Sequence, residues 1–463
     1  MTTEPELKLF EKRKKIYPRR VWGKYRKLKW VAMVTLLAIY YLAPWLRWNR
    51  GAGVPDQAIL IDMPSRRAYF FFIEIWPQEV YFLTGILILA AVGLFFITSL
   101  FGRVWCGYAC PQTVWTDLFV WVERIVQGDR NQRKKLDEQK WNFEKLWKKT
   151  VTHLIWLVIG LCTGGAWVFY FNDAPTLLDH IIHLSVPTSI WVWILALTLS
   201  TYIMAGFARE QVCKYMCPYA RFQSAMFDKD TLIISYDQER GEPRHKGAAK
   251  KEGMGDCIDC GFCEIVCPQG IDIRNGLQMD CIACGLCVDA CNTVMDKIGL
   301  PRGLIRYDTQ HHMEHKTNKF RMLRPRTIYY TAIMAVVGAI MIYGLLTRTT
   351  LELHVLHDRN PLYVKLSDGS IRNSYTVKIL NKTHQDKTYK LSYSGIDNAN
   401  IKVQGNEEVA ADNLKVFADS IGQFRVFVST VNAPERKDIS FTVTDPASNN
   451  ADTTETVFIG AEE

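Results

Sequence analysis

Two copies of one cysteine pattern decide the fold of the central segment: Cys257-Ile-Asp-Cys260-Gly-Phe-Cys263-Glu-Ile-Val-Cys267-Pro268 and Cys281-Ile-Ala-Cys284-Gly-Leu-Cys287-Val-Asp-Ala-Cys291. Three thiolates spaced three residues apart can bind one face of an iron–sulfur cube, and the fourth cysteine of each run binds the other cube. The pattern therefore predicts two [4Fe-4S] clusters and a protein that transfers single electrons. One cluster is expected on Cys257, Cys260, Cys263 and Cys291, and the other on Cys281, Cys284, Cys287 and Cys267.

Other uses of these cysteines fit the spacing poorly. A zinc site needs four ligands, usually from two separated pairs, and two dense runs of four oversupply that geometry. A disulfide framework is disfavoured for the same reason. The second run ends in Asn292 where the first has Pro268, which changes the local turn but removes no ligand. The short link of residues 268–280 favours one compact ferredoxin-like α+β domain.

Five apolar segments are close to the length that spans a bilayer: residues 31–46, 80–100, 151–171, 188–208 and 327–346. The first is the shortest and is expected to use Trp30 and Trp48 as interfacial anchors. Buried helices of a large water-soluble protein are disfavoured by the length, the lack of charge and the flanking Trp and Tyr residues. The sequence therefore predicts a bundle of five transmembrane helices.

Basic residues indicate how the chain crosses the membrane. Residues 1–29 carry eleven Lys and Arg against three Glu, residues 102–150 carry ten Lys and Arg, and residues 172–187 carry none. The positive-inside rule then predicts a cytoplasmic N-terminus, 102–150 loop and 209–326 segment, with everything after residue 347 outside. A basic run beside a membrane is more often a topology signal and a lipid contact than a nucleic-acid site. Membrane lipid is therefore an expected partner, and nucleic acid is not.

A second cysteine motif follows the second and fourth apolar segments. It reads Cys106-Gly-Tyr-Ala-Cys110-Pro111 and, again, Cys213-Lys-Tyr-Met-Cys217-Pro218. Proline disfavours a helical residue before it and is well suited to the first helical position. Each motif is therefore expected to end in a turn, with helices over residues 111–127 and 218–227. The dipole of such a helix would lower the pKa of Cys110 and Cys217.

The four cysteines of this repeated motif are a candidate metal site. Four thiolates at one membrane face suit a soft ion such as Cu(I), or a further iron centre. The alternative is inert thiols packed at a helix junction, since free Cys is often buried for packing alone. Repetition at equal depths disfavours that alternative. Cys162 is expected to be such a packing residue.

The outward segments carry no catalytic cluster. Residues 48–78 form a loop whose aromatic patch is expected to lie on the membrane surface. After the fifth apolar segment, short strand-like segments at residues 362–366, 375–380, 388–393, 423–428 and 439–443 predict an all-β, immunoglobulin-like sandwich.

The predicted organisation of this multi-domain membrane protein has five parts. They are a basic N-terminus (1–30), four transmembrane helices with the 102–150 loop (31–210), a cytoplasmic segment with the ferredoxin-like domain (211–326, core 255–300), a fifth transmembrane helix (327–347) and a periplasmic sandwich (348–463).

The order of these features resembles the CcoG/FixG/RdxA family of cytochrome c oxidase accessory proteins. The resemblance covers nearly the whole chain from Tyr17 onward. It is carried by residues 105–111 (WCGYACP), 217–224 (CPYARFQS), 227–231 (FDKDT), 361–364 (PLYV) and 366–369 (LSDG), together with the cluster runs. NapH-type membrane ferredoxins share the paired motif but lack an outward sandwich.

This resemblance implies a cupric reductase of the bacterial inner membrane that reduces Cu(II) to Cu(I) for assembly of a cbb-type haem–copper oxidase. The eight ferredoxin cysteines would be the relay, and Cys106, Cys110, Cys213 and Cys217 the catalytic and copper-binding site. Implied partners are the oxidase-assembly machinery or a copper chaperone or transporter, and the electron donor is open between quinol and a cytoplasmic reductase. Two alternatives remain: a NapH-like conduit between quinol and a partner enzyme, and a non-enzymatic redox sensor or assembly scaffold.

Overall fold

The computed structural model describes residues 15–51, 53–247, 252–316, 320–404, 411–431 and 434–460. The chain divides into two units: Met1–Trp48 with Asp56–Met341, and Asn49–Pro55 with Ile342–Glu463. The first half of the basic N-terminus predicted at residues 1–30 lies outside the described residues.

Among the described residues, five helices are long and apolar enough to cross a membrane, which confirms the predicted number. They occupy Lys24–Trp45, Pro77–Phe101, Phe143–Val168, Thr188–Ala208 and Pro325–Leu346. The first begins at Lys24 rather than near residue 31, because Arg26 and Lys29 are buried and paired with Asp117. Their charge is neutralised within the protein, so it does not end the helix.

The helices follow one another along the chain as α1 Lys24–Leu42, α2 Val80–Phe101, α3 Val104–Tyr108, α4 Pro111–Gln127, α5 Arg130–Glu138, α6 Phe143–Val168, α7 Ala174–Ile182, α8 Thr188–Thr201, α9 Pro218–Met226, α10 Gln238–Gly241, α11 Phe262–Ile265, α12 Leu286–Ile298, α13 Gln310–His315 and α14 Pro325–Leu346. Two π-helical segments, Tyr202–Ala208 and Val212–Met216, lie between α8 and α9. Short 3₁₀ turns occupy Ala43–Trp45, Pro77–Glu79 and Ile273–Asn275.

The strands are β1 Ile59–Asp62, β2 Arg67–Phe70, β3 Ile73–Ile75, β4 Ile233–Tyr236, β5 Ile305–Asp308, β6 Leu351–His357, β7 Val364–Lys365, β8 Ile371–Asn381, β9 Lys387–Ser394, β10 Asn400–Val403, β11 Leu414–Val416, β12 Ser420–Thr430, β13 Arg436–Thr444 and β14 Ala451–Ile459.

The loop between the first two spans contains a small antiparallel sheet of β1, β2 and β3, and its predicted aromatic patch is only partly buried. Tyr69 and Trp76 are buried within the protein, with 2% and 4% of their surface exposed. The Arg67 guanidinium stacks on the Trp76 ring at 3.8 Å and pairs with Glu74. Phe71 and Phe72 are 39% and 74% exposed, so part of the predicted aromatic patch remains at the surface of the protein.

The ferredoxin-like part is framed by two strands that are far apart in sequence. β4 pairs antiparallel with β5, from Ile233 opposite Asp308 to Tyr236 opposite Ile305, and α11 and α12 lie between them in sequence. Apolar side chains of both strands and of α12 form one core with several of the cysteines. The cysteine runs are therefore held inside a packed α+β domain, as the sequence predicts.

The C-terminal unit is an antiparallel β-sandwich of the predicted immunoglobulin-like type. One sheet has the order β10-β12-β8-β6 with β7 beside β8, and the other has the order β11-β9-β13-β14. In β8 alternate residues point into the core, and fully buried Tyr375 lies against Phe441 of the facing sheet with ring centroids 5.1 Å apart. This alternation is the reason for the strand-like periodicity of the sequence.

Candidate metal and redox site

The two cysteine runs adopt the same unusual backbone. In each run the residue before the second cysteine and the glycine after it are left-handed: Asp259 (φ 47°) and Gly261 (φ 63°), then Ala283 (φ 49°) and Gly285 (φ 73°). Such φ values cost non-glycine residues conformational energy and persist only where surrounding structure enforces them. The repeated geometry curls each loop, so that its thiols can face a common centre.

The first predicted ligand set comes together in the fold. Cys257, Cys260, Cys263 and Cys291 all line one cavity, although Cys291 belongs to the second run. Burial, and then charge on Cys263, Cys257 and Cys260, raises the pKa of the Cys291 thiol to about 12. The fold thus places the last cysteine of the second run beside the first three cysteines of the first run, as crossed ligation requires.

The second predicted set shows the same arrangement. Burial, and then charge on Cys284 and Cys281, raises the pKa of the Cys267 thiol to about 12. Burial, and then charge on Cys284, Cys281 and Cys267, raises the pKa of the Cys287 thiol well above its usual range. Cys267, from the first run, therefore lies with the three cysteines of the second run.

These thiols fit iron–sulfur clusters as ligands. All thirteen cysteines of the chain are free of disulfides, and seven of these eight are at least partly buried. Buried thiols that raise one another's pKa are unfavourable as bare thiolates, and a bound cationic iron centre offsets that cost. Two sets of four soft ligands match two four-iron cubes, which supply one-electron chemistry when bound.

In the repeated CxxxCP motif a helix begins at the proline, as predicted, but Val104–Tyr108 and Val212–Met216 before it are helical, so the second motif has no turn ahead of Cys217. Cys110 and Cys217 each have an extended backbone and precede a helix, and Pro111 and Pro218 occupy the first turn of α4 and α9. The observed α4 has the predicted bounds, and α9 ends at Met226, one position before the prediction. Hydrogen bonds from Thr113 and Val114 to the Cys110 carbonyl begin α4.

The four motif cysteines, Cys106, Cys110, Cys213 and Cys217, lie together and are called here the thiol quartet. Burial, and then charge on Cys110, Cys106 and Cys217, raises the pKa of the Cys213 thiol to about 12. Burial raises the pKa of the Cys106 thiol to about 11, although the hydrogen bond with Gln223 acts to lower it. Two helix junctions that are distant in sequence thus bring four soft ligands near one another, although no three of their Sγ atoms all lie within 4.8 Å of one another.

The predicted lowering of the Cys110 pKa by the helix dipole is wrong. Burial raises the pKa of the Cys110 thiol, and the opposing hydrogen bonds from Thr113 and Gln112 do not overcome it. The sequence indicates the N-terminal position of this cysteine but not that the ferredoxin-like domain covers the junction. A bound metal cation would offset this effect of burial and favour the Cys110 thiolate.

The thiol quartet packs directly on the second cysteine run. Cys106 contacts the apolar cluster that contains Cys284, and the Tyr108 hydroxyl donates to the Cys284 carbonyl at 3.0 Å. The Arg103 guanidinium donates to the carbonyls of Met279 and Ala220 and so joins the second run to α9. The quartet and the second ligand set are therefore neighbours in one rigid packing.

The packing of the first CxxxCP motif against the second cysteine run can be tested at Gly107. A Cβ atom there would lie 2.6 Å from the Ile282 carbonyl oxygen, whereas one at Gly165 of α6 would meet nothing within 4 Å. We expect Gly107→Ala to destabilise the protein by about 1–3 kcal/mol through overpacking. The matched Gly165→Ala variant should be neutral or stabilising, since both glycines are helical. Thermal unfolding in detergent measures the difference, and equal midpoints for the two variants would contradict this packing.

The N-terminal helix is fixed to the ferredoxin-like domain by a carboxylate. The backbone amides of Tyr25 and Arg26 donate to Asp289 at 3.3 and 2.8 Å, and Gly23 leaves room for that side chain. Asp289 lies in α12 between Cys287 and Cys291, and a carboxylate at a helix N-terminus is favoured by the helix dipole. Asp289, which lies in sequence between one ligand of each predicted cluster, thus caps the N-terminus of the first span.

Three polar residues of the site were not found from the sequence: Gln223, Gln269 and Asp289. The Gln223 amide lies 3.3 Å from Cys106 Sγ, and Gln269 contacts Cys213. Gln269 follows Cys267-Pro268 directly, so its closeness to a ligand was a usable signal. Gln223 and Asp289 had none, because their partners are more than a hundred residues away.

Comparisons with known proteins agree with this architecture. A family model described as "4Fe-4S dicluster domain" matches residues 208–310, and one described as "4Fe-4S binding domain" matches residues 83–128. A third, described as "IG-like fold at C-terminal of FixG", matches residues 341–461. The fold, the cysteine sets and these matches define a membrane protein of the iron–sulfur, oxidoreductase-like class.

Full-length relatives give the family. The chain is 47% identical over 467 residues to protein RdxB of Cereibacter sphaeroides, covering 98% of this chain and 97% of the relative. It is 47% identical to protein RdxA of the same organism, with 93% and 92% covered, and 45% identical to "Nitrogen fixation protein FixG" of Rhizobium meliloti, with 96% and 92% covered. The chain belongs to the FixG/RdxA family.

Proposed function

We propose that this protein reduces Cu(II) to Cu(I) at the thiol quartet, with electrons delivered by the ferredoxin-like domain. One observation carries the proposal: four soft ligands from two distant motifs converge against the second ligand set, with Tyr108 hydrogen-bonded to Cys284. A site for a soft metal ion beside an electron relay is what a metal-ion reductase needs. The reaction balances simply, since one electron converts one Cu(II) to one Cu(I).

The chemistry of the quartet favours the reduced ion. Cu(I) is softer than Cu(II) and prefers thiolate ligands, so binding at the quartet would raise the driving force for reduction. Burial raises the pKa of the Cys106 thiol to about 11 and that of the Cys213 thiol to about 12, so copper would displace their protons on binding. The Gln223 amide, beside Cys106 Sγ, would orient that thiolate.

The cellular role follows from the same proposal. Supply of Cu(I) suits assembly of a cbb-type haem–copper oxidase, with the oxidase-assembly machinery or a copper chaperone or transporter as partner. The basic segments support our proposal of a bacterial inner-membrane protein with the N-terminus and the ferredoxin-like domain in the cytoplasm and the sandwich in the periplasm. The sandwich would then be the docking surface for a partner on the outer face.

A second candidate for the quartet is an iron centre. It is favoured by the match of a 4Fe-4S binding model to residues 83–128, which include Cys106 and Cys110. Metal analysis separates the two candidates, because the ferredoxin-like domain alone holds about eight iron atoms and a third four-iron cluster would bring about twelve.

The test replaces the two cysteines that begin α4 and α9. The clusters are first reduced with dithionite, and the excess, which itself reduces Cu(II), is removed by gel filtration. Cys110→Ser with Cys217→Ser should leave about eight iron atoms per chain and lower Cu(II) reduction by this pre-reduced protein by about tenfold or more through lost copper affinity. Cys162→Ser is the matched control, because Cys162 is exposed on α6 and away from the quartet. A Cu(I)-specific chelator dye measures the product. Unchanged reduction with intact clusters would remove the quartet from the reaction.

A further inference from the structure

The end of the fourth span has a strained backbone that the proposed copper chemistry does not use. Two π-helical segments, Tyr202–Ala208 and Val212–Met216, flank Arg209, whose φ is 44°. A π-helix is rare and is frequent at functional sites, and a left-handed Arg persists only when its surroundings enforce it. The Arg209 guanidinium donates to the Gly206 carbonyl at 2.7 Å and to Glu123 of α4 at 2.7 and 3.2 Å. The distortion is therefore held in place by a buried ion pair.

A cavity of about 270 Å³ lies beside this distortion. Its walls include His153 and Trp156 of α6 and Phe207 of the π-helical segment. The His153 and Phe207 rings are nearly parallel, with an interplanar angle of 15° and centroids 5.8 Å apart. The Tyr202 hydroxyl lies 2.9 Å from His153 Nδ1. Flat aromatic walls with one imidazole suit a flat ring that carries hydrogen-bonding oxygens.

Each cationic side chain of the cavity wall already has a carboxylate partner. Arg209 pairs with Glu123, which also accepts a hydrogen bond from Arg133 at 2.9 Å. Lys15 and Lys149, which also line the cavity, both pair with Asp137, at 2.6 and 2.5 Å. An anionic phosphate would also meet the Glu210 carboxylate, which lines the same cavity. A neutral ligand meets no such repulsion.

Two residues of the cavity wall also line a second cavity that reaches one cysteine of the thiol quartet. A second, smaller cavity of about 40 Å³ shares Arg209 and Glu210 with the first and extends to Cys213 and Gln269. Arg209 and Glu210 therefore line both cavities. They precede Cys213 of the thiol quartet by four and three positions along the chain, so a ligand in the first cavity would lie near the quartet.

We propose that the first cavity binds the head group of a quinol, which is the electron donor of this protein. The inference rests on the proposed redox function and names its donor. Oxidation of one quinol to quinone releases two electrons and two protons, and the two ferredoxin-type clusters each accept one electron. With hydrogen on Nδ1 toward Tyr202, the basic Nε2 of His153 can take one hydroxyl proton. Glu210 provides a carboxylate in the same cavity for the other.

The test combines binding with electron transfer in the purified full-length protein. An azido-substituted short-chain ubiquinone should label peptides of residues 143–168 or 202–208 on illumination, and unlabelled decylubiquinone should compete. Decylubiquinol, without copper, should bleach the cluster absorbance of the wild type. His153→Phe keeps an aromatic ring but no proton acceptor and should slow this bleaching by about tenfold or more, within the range for loss of a general base.

Controls separate the donor site from folding and from copper chemistry. His183→Phe is matched, because His183 is exposed at the end of α7 and does not line the cavity. Dithionite should reduce the clusters of every variant equally, and His153→Gln provides a smaller change if the phenylalanine variant folds poorly. The proposal is overturned if decylubiquinol does not reduce wild-type clusters, or reduces those of both His153 variants at the wild-type rate. Displacement of the label by phosphatidylglycerol vesicles but not by decylubiquinone would indicate a lipid site instead. Cu(II) reduction by dithionite-reduced protein, after removal of the excess dithionite, tests the copper function independently of all these outcomes.

Discussion

Replacing Cys291 with alanine is expected to remove one cluster and leave the other, lowering the iron content from about eight to about four atoms per chain. Crossed ligation makes a sharper prediction for double variants. Cys291→Ala with Cys257→Ala should still retain about four iron atoms, because both residues serve the same cluster. Cys291→Ala with Cys281→Ala should retain none, because the two residues serve different clusters.

Iron analysis and EPR of the reduced protein measure these outcomes. Cys162→Ala is the control and should keep the wild-type iron content, since this exposed cysteine lies in the third span. Uncrossed ligation predicts the reverse pattern, in which the Cys257 and Cys291 pair loses both clusters. The double variants therefore decide the assignment without knowledge of which cluster gives which signal.

The second large effect is expected at the buried charges that join the first span to α4. The Arg26 guanidinium donates to both oxygens of Asp117 at 2.9 Å, and Lys29 lies 4.0 Å away. Burial opposes ionisation, but Lys29 and Arg26 hold the pKa of Asp117 below its usual range. Asp117→Asn leaves two buried cations without a carboxylate and should cost about 3–5 kcal/mol.

A surface ion pair of the same region supplies the control. Glu138 and Lys134 of α5 are 3.7 Å apart and both largely exposed, so Glu138→Ala should change stability by less than about 1 kcal/mol. Chemical denaturation in detergent, followed by far-UV circular dichroism, compares the two variants. Similar losses for both would mean that the Arg26 and Asp117 charges are hydrated rather than buried.

Features set by local sequence were predictable. The number of spans, the start of α4 at Pro111 and the alternating strands of the sandwich depend on composition, proline stereochemistry and side-chain periodicity. The start of the first span was not, because its neutral character depends on Asp117, about ninety residues away. Four strands of the sandwich, β6, β10, β11 and β14, were not among the predicted segments. Of these, β10 and β11 have only four and three residues, and in β14 only Phe458 is buried.

In the candidate site, too, local patterns were predictable and contacts between distant residues were not. Spacing alone gave the two sets of cluster cysteines and the repeated motif. That the two motifs meet depends on packing of α3, α4 and α9 against the second run, and no local pattern encodes it. The same packing reverses the expected pKa of Cys110, because burial outweighs the favourable helix end. The π-helical distortion likewise depends on the distant pairing of Arg209 with Glu123.

The hydrogen bond from Tyr108 to the Cys284 carbonyl has a kinetic consequence. A diffusible ferredoxin must collide with its acceptor, so its reaction is second order and slows with dilution and, for charged surfaces, with salt. Here the relay and the thiol quartet belong to one packed unit. Electron exchange between them would be first order, with a rate independent of protein concentration and nearly independent of ionic strength.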